Sequence, residues 1–308
     1  MSFEFTARLP LSRHELDRDY LARGRPDLFA ELWADDSTRV LLLHNGQALL
    51  ADDGALALLS AAEAPEAEYL IYLGRSIDAA ATPFVAAKLS EPAAATLGGD
   101  ARWGDLRSLG ASLGDRDAGL FTEALAMANW HDSHRFSPRS GKPTVPVQGG
   151  WVRKAEDDDH QLFPRTDAAI IVGVTDAEDR ILLGSNALWK NNRYSLLDGF
   201  VEPGESLENA VVREVFEESG IRIAEPVYLG SQPWPFPASI MLGFRAIVDQ
   251  SLESRLTPDG QEILDLRWFS REELAASLDE IALPGPTSIA RAILEDWFGG
   301  PIIDRRDW

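Results

Sequence analysis

The sequence predicts an α/β (α+β) chain with a smaller domain ahead of a larger one. Three observations predict it. The 308 residues are 45% hydrophobic and 26% charged, ordinary for a folded chain and enough for two cores. Short aliphatic runs bounded by turn residues alternate with stretches whose apolar residues recur at helical spacing. Between the two sets of elements, residues 127–165 are rich in Gly, Pro and polar side chains. The expected division is a domain over 1–126, a connector over 127–165 and a second domain over 166–308.

In the first domain, 25–33 reads as a helix, and 40–43 and 48–51 as strands. They are joined at Asn45-Gly46, a dipeptide suited to a two-residue hairpin. Residues 69–73 and 83–89 read as further strands and 103–113 as a helix. The spacing of Leu120, Leu125 and Ala128 predicts a longer helix over 117–130. No catalytic constellation stands out in this half, which suits a scaffold or a dimerisation surface. The second domain opens with a buried strand over 168–174 and a hairpin partner over 180–183. Residues 194–197 lead on toward Gly199; strands follow over 221–229, 240–248 and 263–269, and helices over 271–277 and 287–297.

The most informative stretch runs from Gly199 to Ile221, G-F-V-E-P-G-E-S-L-E-N-A-V-V-R-E-V-F-E-E-S-G-I. It reads as turn, helix, turn. Gly199 and Pro203-Gly204 punctuate the entry, Ser206 suits the N-cap, and Glu208 sits where the helix dipole favours an anion. Gly220 suits the left-handed residue that closes a helix. Leu207, Ala210, Val211 and Val215 recur at helical spacing with Val212 and Phe216 beside them, which predicts a largely buried helix. Glu214, Glu217 and Glu218 share one side of it. Like charges at that spacing repel by about 0.2–0.5 kcal/mol per pair in water. Hard divalent cations such as Mg2+ and Mn2+ remove the repulsion, because they favour carboxylate oxygens. Taken alone, the glutamates also read as a solvated acidic face. Arg213 and Glu205 have room to pair and fix the loop.

The full spacing decides between these readings. Gly199, five residues, Glu205, seven residues, then Arg213-Glu214-Val215-x-Glu217-Glu218-x-Gly220-Ile221 resembles the Nudix box at every defined position. That resemblance implies an α/β/α sandwich around a mixed sheet, and hydrolysis of a diphosphate linked to another group. It further implies Mg2+ or Mn2+ held by Glu214, Glu217 and Glu218, with Glu262 as a further metal-binding glutamate. Arg213 and Glu205 complete the catalytic set, and Glu217 or Glu218 is the expected general base.

A second motif, Ser231-Gln232-Pro233-Trp234-Pro235-Phe236-Pro237-Ala238-Ser239, alternates prolines with aromatics. Prolines stiffen the segment and remove donors, so it is no ordinary central strand. Its plain reading is a rigid loop that packs two aromatics. It looks like the signature that follows the box in NADH pyrophosphatases. By that resemblance, Gln232, Pro233, Trp234, Pro235, Phe236, Pro237, Ala238 and Ser239 shape the nucleotide pocket. Phe163 and Phe200 are expected ring-stacking partners, and Ala290 a backbone contact. The implied substrates are NADH and NAD+, cleaved to nicotinamide mononucleotide and AMP, and NAD-capped RNA. The implied assembly is a homodimer. Two rivals are a Nudix enzyme for ADP-ribose or dinucleoside polyphosphates, and a catalytically silent nucleotide-binding module. The intact proline motif argues against the first and the complete set of box glutamates against the second.

One departure concerns the connector. Many relatives carry a four-cysteine zinc ribbon there, in the context H-R-F-C-x-x-C-G and W-x-x-x-C-x-x-C. This chain keeps His134-Arg135-Phe136, Gly141 and Trp151, but the ligand positions hold Ser137, Ser140, Ala155 and Asp158. Neither Ser nor Ala replaces a zinc thiolate, so no structural zinc is expected. His131 and His134 read as surface or core-edge residues rather than ligands, and the acidic run 156–159 as a solvated turn. With no cysteine anywhere, disulfides and thiolate metal sites are excluded. A net charge of −21 argues against broad attraction to nucleic acid. No apolar run reaches the roughly 20 residues that span a bilayer, and the first residues lack a signal-peptide pattern. No membrane association and a cytoplasmic location are therefore expected.

Overall fold

The computed structural model describes residues 2–155, 159–188, 192–253 and 255–303. Its contacts form two compact units. One comprises Met1–Ser12, Asp167–Pro233 and Ser239–Trp308; the other comprises Arg13–Thr166 together with Trp234–Ala238.

The unit built on Arg13–Thr166 contains a seven-stranded sheet. Its strand Arg39–His44 runs parallel to Pro83–Lys88 and turns back at Asn45-Gly46 into Gln47–Leu50. Both turn residues have positive φ, 47° and 77°, as the predicted two-residue hairpin demands. The helix over 103–113 does not form as expected. Arg102–Asp105 is instead a strand, with Trp103 opposite Leu49, and only Leu106–Leu109 is helical. Asp105 decides the changeover, because its carboxylate accepts from Ser108 N at 3.0 Å and caps a helix starting after it. The helix Asp115–Ser133 packs with thirteen of its residues buried, among them Leu120, Leu125, Ala128 and Trp130.

The connector keeps a three-stranded sheet, Thr144–Val147, Val152–Ala155 and Gln161–Leu162, without zinc-binding thiols. Ser137 is buried and its hydroxyl accepts from the amides of Arg139 and Ser140, each at 3.3 Å. The turn's amides thus find an oxygen acceptor. Asp158, the last of the four ligand positions, lies outside the described residues. His131 lies deeper than the surface or core-edge position expected, for its exposure is 0%. The buried Arg153 donates from Nε to Thr144 Oγ1 (2.7 Å), from a terminal nitrogen to Thr144 O (2.7 Å), and from the other to His131 Nδ1 (2.8 Å). Arg can only donate, so His131 Nδ1 accepts and Nε2–H donates to Gly150 O at 2.8 Å. Burial, with the Arg153 cation, lowers the His131 pKa to about 4.

The other unit holds a six-stranded mixed sheet. Its central strand Asp167–Thr175 runs parallel to Ser239–Val248 on one side and antiparallel to Leu197–Phe200 on the other. Side chains alternate across it. Ile170, Val172 and Val174 cluster with Ala210, Val211 and Val215 of the helix Leu207–Ser219. A Cβ on Gly173, facing the other way, would meet Ile293 of the helix Ile289–Phe298 at 3.0 Å. Helices on both faces make the predicted α/β/α sandwich. The strand expected over 221–229 extends as Ile223–Trp234 into the prolines. It lies at the sheet's edge, where a missing N–H is tolerated. Among the described residues no helix is long and apolar enough to cross a membrane.

Candidate active site

The helix Leu207–Ser219 is bounded as its sequence predicts. Ser206 Oγ accepts from Asn209 N at 3.2 Å, and Gly220 closes it at φ 68°. It is less buried than expected, because Val212 and Phe216 are 41% and 43% exposed. Ala210, Val211 and Val215, with Leu207 beside them, pack into the core; Phe216 instead carries the Arg222 guanidinium 4.5 Å from its ring.

Arg213 organises the entry turn and the acidic face together. Its guanidinium donates to both Glu205 oxygens (2.6 and 3.1 Å) and to Phe200 O (3.0 Å). The remaining terminal nitrogen contacts Glu214 and Glu217, each at 2.9 Å. Glu205 also accepts from Glu202 N at 2.7 Å, so a planar fork and a loop amide fix one carboxylate. These bonds hold Glu205 below the ordinary carboxylate range and raise Arg213.

The three box glutamates share a side of the helix but not an environment. Glu217 is open to water, with 57% of its side chain exposed. Glu214 is half-buried, and its carboxylate presses on the Gly199 backbone, where a Cβ would stand 2.1 Å from Glu214 Cδ. Glu218 is only 5% exposed, and its Oε2 has no hydrogen-bond partner. Burial, then the charges of Asp198, Glu214 and Glu262, pushes Glu218 up to about 9. Burial also raises Glu214, against the opposing pull of Arg213.

Asp198, on the strand Leu197–Phe200 immediately before Gly199, belongs to the same cluster. In the sequence, residues 194–197 read only as a lead into the box, and Asp198 is passed over. Its side chain remains open to solvent although protein crowds it closely. That crowding, then Glu262 and Glu214, raises its carboxyl. An acidic residue directly before the box glycine was the available signal. Glu262 is exposed just before the strand Ile263–Phe269 and accepts from Asn186 Nδ2 at 3.3 Å.

Among the described residues no three acidic or imidazole groups converge on a ready-made metal position. Arg213 engages Glu214 and Glu217, and carboxylates without a counter-ion repel each other. The donor set still suits a hard divalent cation: several carboxylate oxygens, one of them buried without a partner.

The other predicted residues are placed as follows. Phe200 is 60% exposed beside the Arg213 clamp. Phe163 is 61% exposed, in the unit that contains the first domain. Gln232 has 0% exposure and presents no surface; its Nε2 donates to Thr287 O at 3.0 Å and braces that loop. Ser239 is nearly buried and sits opposite Asp167 at the start of the parallel pair. Ala290 is buried in the first turn of its helix, where its amide donates to Ser288 Oγ at 3.1 Å. Pro233 is exposed. Trp234 and Phe236, on either side of buried Pro235, pack edge to face at 4.8 Å; Pro237 is exposed and Ala238 half-buried. The structure places Asp198, Glu214, Glu218 and Glu262 within electrostatic reach of one another, and groups Trp234–Ala238 with the other unit.

Comparison with known proteins gives three consecutive matches. A NUDIX domain model matches residues 164–290, an NADH pyrophosphatase-like rudimentary NUDIX domain model 37–130, and an NADH pyrophosphatase zinc ribbon domain model 132–163. The chain is 40% identical over 295 residues to the NAD-capped RNA hydrolase NudC of Mycobacterium bovis (strain BCG / Pasteur), covering 92% of this chain and 90% of that one. The chain belongs to the NudC family of Nudix hydrolases. The NudC of Mycobacterium tuberculosis (strain H37Ra) is similar to the same extent, at 40% identity over 295 residues. That of Salmonella agona is 37% identical over 185 residues, covering 59% of this chain and 68% of that one. The zinc ribbon model matches although no cysteine is present, in keeping with the folded but thiol-free NudC-type connector described above.

Proposed function

We propose that this chain hydrolyses the diphosphate bond of NADH and NAD+ to nicotinamide mononucleotide and AMP, and removes NAD caps from RNA 5′ ends by the same cleavage. One observation carries the reading: Arg213 holds Glu205, Glu214 and Glu217 of an intact box sequence in a chain 40% identical, over 92% of its length, to NAD-capped RNA hydrolases. In the reaction a water oxygen bonds to one phosphorus and the bridging P–O bond breaks, leaving its electron pair on the departing phosphate. Glu217, open to water, is our assignment for the base that takes the water's proton. Glu214, Glu218 and Glu262, joined by Asp198 and with Glu217 at the rim, would hold Mg2+ or Mn2+. When bound, the cation neutralises the diphosphate and polarises it for attack. Arg213 and Glu205 keep the entry turn and the carboxylates in register. The proline-aromatic segment and Phe200 supply surfaces for the base and nicotinamide rings, with Gln232 bracing the segment from within.

We assign the chemistry to residues 166–308, a scaffold or dimerisation role to 1–126, and a zinc-free connector to 127–165. A homodimer follows from the same family resemblance, and we place its work in the cytoplasm rather than on a membrane. The test is product analysis with NADH, Mg2+ or Mn2+, and a Glu218→Gln variant. AMP and reduced nicotinamide mononucleotide should appear, and should be lost with EDTA and in the variant. NAD-capped RNA in the same assay ranks the substrates. Absence of NADH cleavage with either metal, beside cleavage of ADP-ribose or a dinucleoside polyphosphate, would overturn the substrate assignment.

A further inference from the structure

We propose that Asn129 and Arg107, in the N-terminal part of the chain, are positioning residues that hold the proline-aromatic segment in its substrate-binding shape. The inference rests on the reading above that Trp234–Ala238 contacts the dinucleotide.

The segment is poor in means of holding itself. Prolines at 235 and 237 remove two backbone donors, and its own turn bond is Phe236 N to Trp234 O at 2.7 Å. Five residues, Trp234–Ala238, share a compact unit with Arg13–Thr166, which contains both Asn129 and Arg107. Asn129 Nδ2 donates to Pro235 O (2.9 Å) and to Pro237 O (3.3 Å). Both partners are carbonyls, so the amide nitrogen, not the oxygen, must face them, and its two protons serve two acceptors. One side chain thereby fixes the carbonyls on either side of Phe236. Asn129 is itself carried by the helix Asp115–Ser133, whose buried stripe anchors it.

Arg107 fixes the rings. Its guanidinium lies 4.0 Å from the centroid of Phe236 and 5.0 Å from that of Trp234, which meet at 73°. A cation on two aromatic faces holds their mutual angle and adds positive charge beside the segment in a chain of net −21. Arg107 is carried on the short helix Leu106–Leu109 that Asp105 caps, the changeover that broke the expected helix over 103–113. The N-terminal part then contributes to substrate affinity without touching the reacting atoms.

The test compares Asn129→Ala, Asn129→Asp, Arg107→Met and Arg107→Lys in the full chain. With NADH and Mn2+, Asn129→Ala and Arg107→Met should raise KM about tenfold with kcat changed less than about threefold. The Mn2+ concentration for half-maximal rate should not move. Asn129→Asp should be at least as poor as Asn129→Ala, since a carboxylate cannot donate to two carbonyls. Arg107→Lys, which keeps the cation, should recover part of the loss. A metal-free measurement with EDTA present should show weaker NAD+ binding in Asn129→Ala and Arg107→Met. Variants that melt lower yet keep wild-type KM and NAD+ affinity would overturn the proposal, leaving these residues a packing role. Failure of the wild-type chain to bind or cleave any nicotinamide dinucleotide would instead overturn the function on which it rests.

Discussion

Gly199→Ala tests whether the position of the Glu214 carboxylate, rather than its mere presence, supports activity. Gly199 is not among the residues with positive φ, so its backbone accepts alanine without strain. The added Cβ would stand 2.1 Å from Glu214 Cδ and 2.2 and 2.4 Å from its two oxygens. Relief requires the carboxylate to retreat by more than an ångström, pulling it from the 2.9 Å contact with Arg213. The end of a flexible side chain yields cheaply, so stability should fall by only about 1 kcal/mol, the low end for overpacking. Activity should fall far more, because an ångström of misplacement at a reacting centre costs about 100-fold. AMP release from NADH with Mn2+ gives kcat, and thermal melting gives the stability change. Adding Gly199→Ala to a Glu214→Ala background should cost almost nothing, since the clashing atoms are gone. A Gly199→Ala enzyme with near wild-type kcat, or one equally damaged in the Glu214→Ala background, would refute the reasoning.

Further expectations concern the clamp and the connector. Arg213→Lys keeps the charge but loses the fork across both Glu205 oxygens, and should lower kcat by about 10- to 100-fold, read in the same assay. His131 is held neutral, its pKa lowered from 6.5 to about 4, so the unfolded chain binds the proton first. Its contribution is fully present above pH 6.5 and is lost as pH falls toward 4, by about 3 kcal/mol in all. Denaturant titrations across that window should show a flatter slope in His131→Gln; equal slopes would remove His131 from the account. Arg153→Met leaves Thr144 and His131 without their buried donor and should cost about 3 kcal/mol, measured by the same unfolding curves. Elemental analysis of purified protein should find no stoichiometric zinc, and EDTA should leave the melting of the connector unchanged.

Local chemistry made much of this molecule legible in its sequence. The box helix ends where Ser206 and Gly220 say it should, because capping depends on a few neighbouring residues. The Asn45-Gly46 hairpin formed for the same reason, and the strand over 168–174 was legible as a short unbroken apolar run, buried on both faces. The Arg213–Glu205 pairing was readable because the short turn before Ser206 leaves the two side chains room to meet. What required tertiary structure depends on distant partners. Residues 103–105 became a strand because Gln47–Leu50 offered an edge, and local periodicity could not register that offer. Three glutamates on one helix face look alike in sequence, yet the sheet beneath buries Glu218 and leaves Glu217 in water. Asp198 joins them only through the packing of its strand against the helix. His131 and Arg153 lie 22 residues apart, and only the folded connector turns them into one buried network. Asn129 reaches Pro235 across 106 residues, a pairing that no spacing rule encodes.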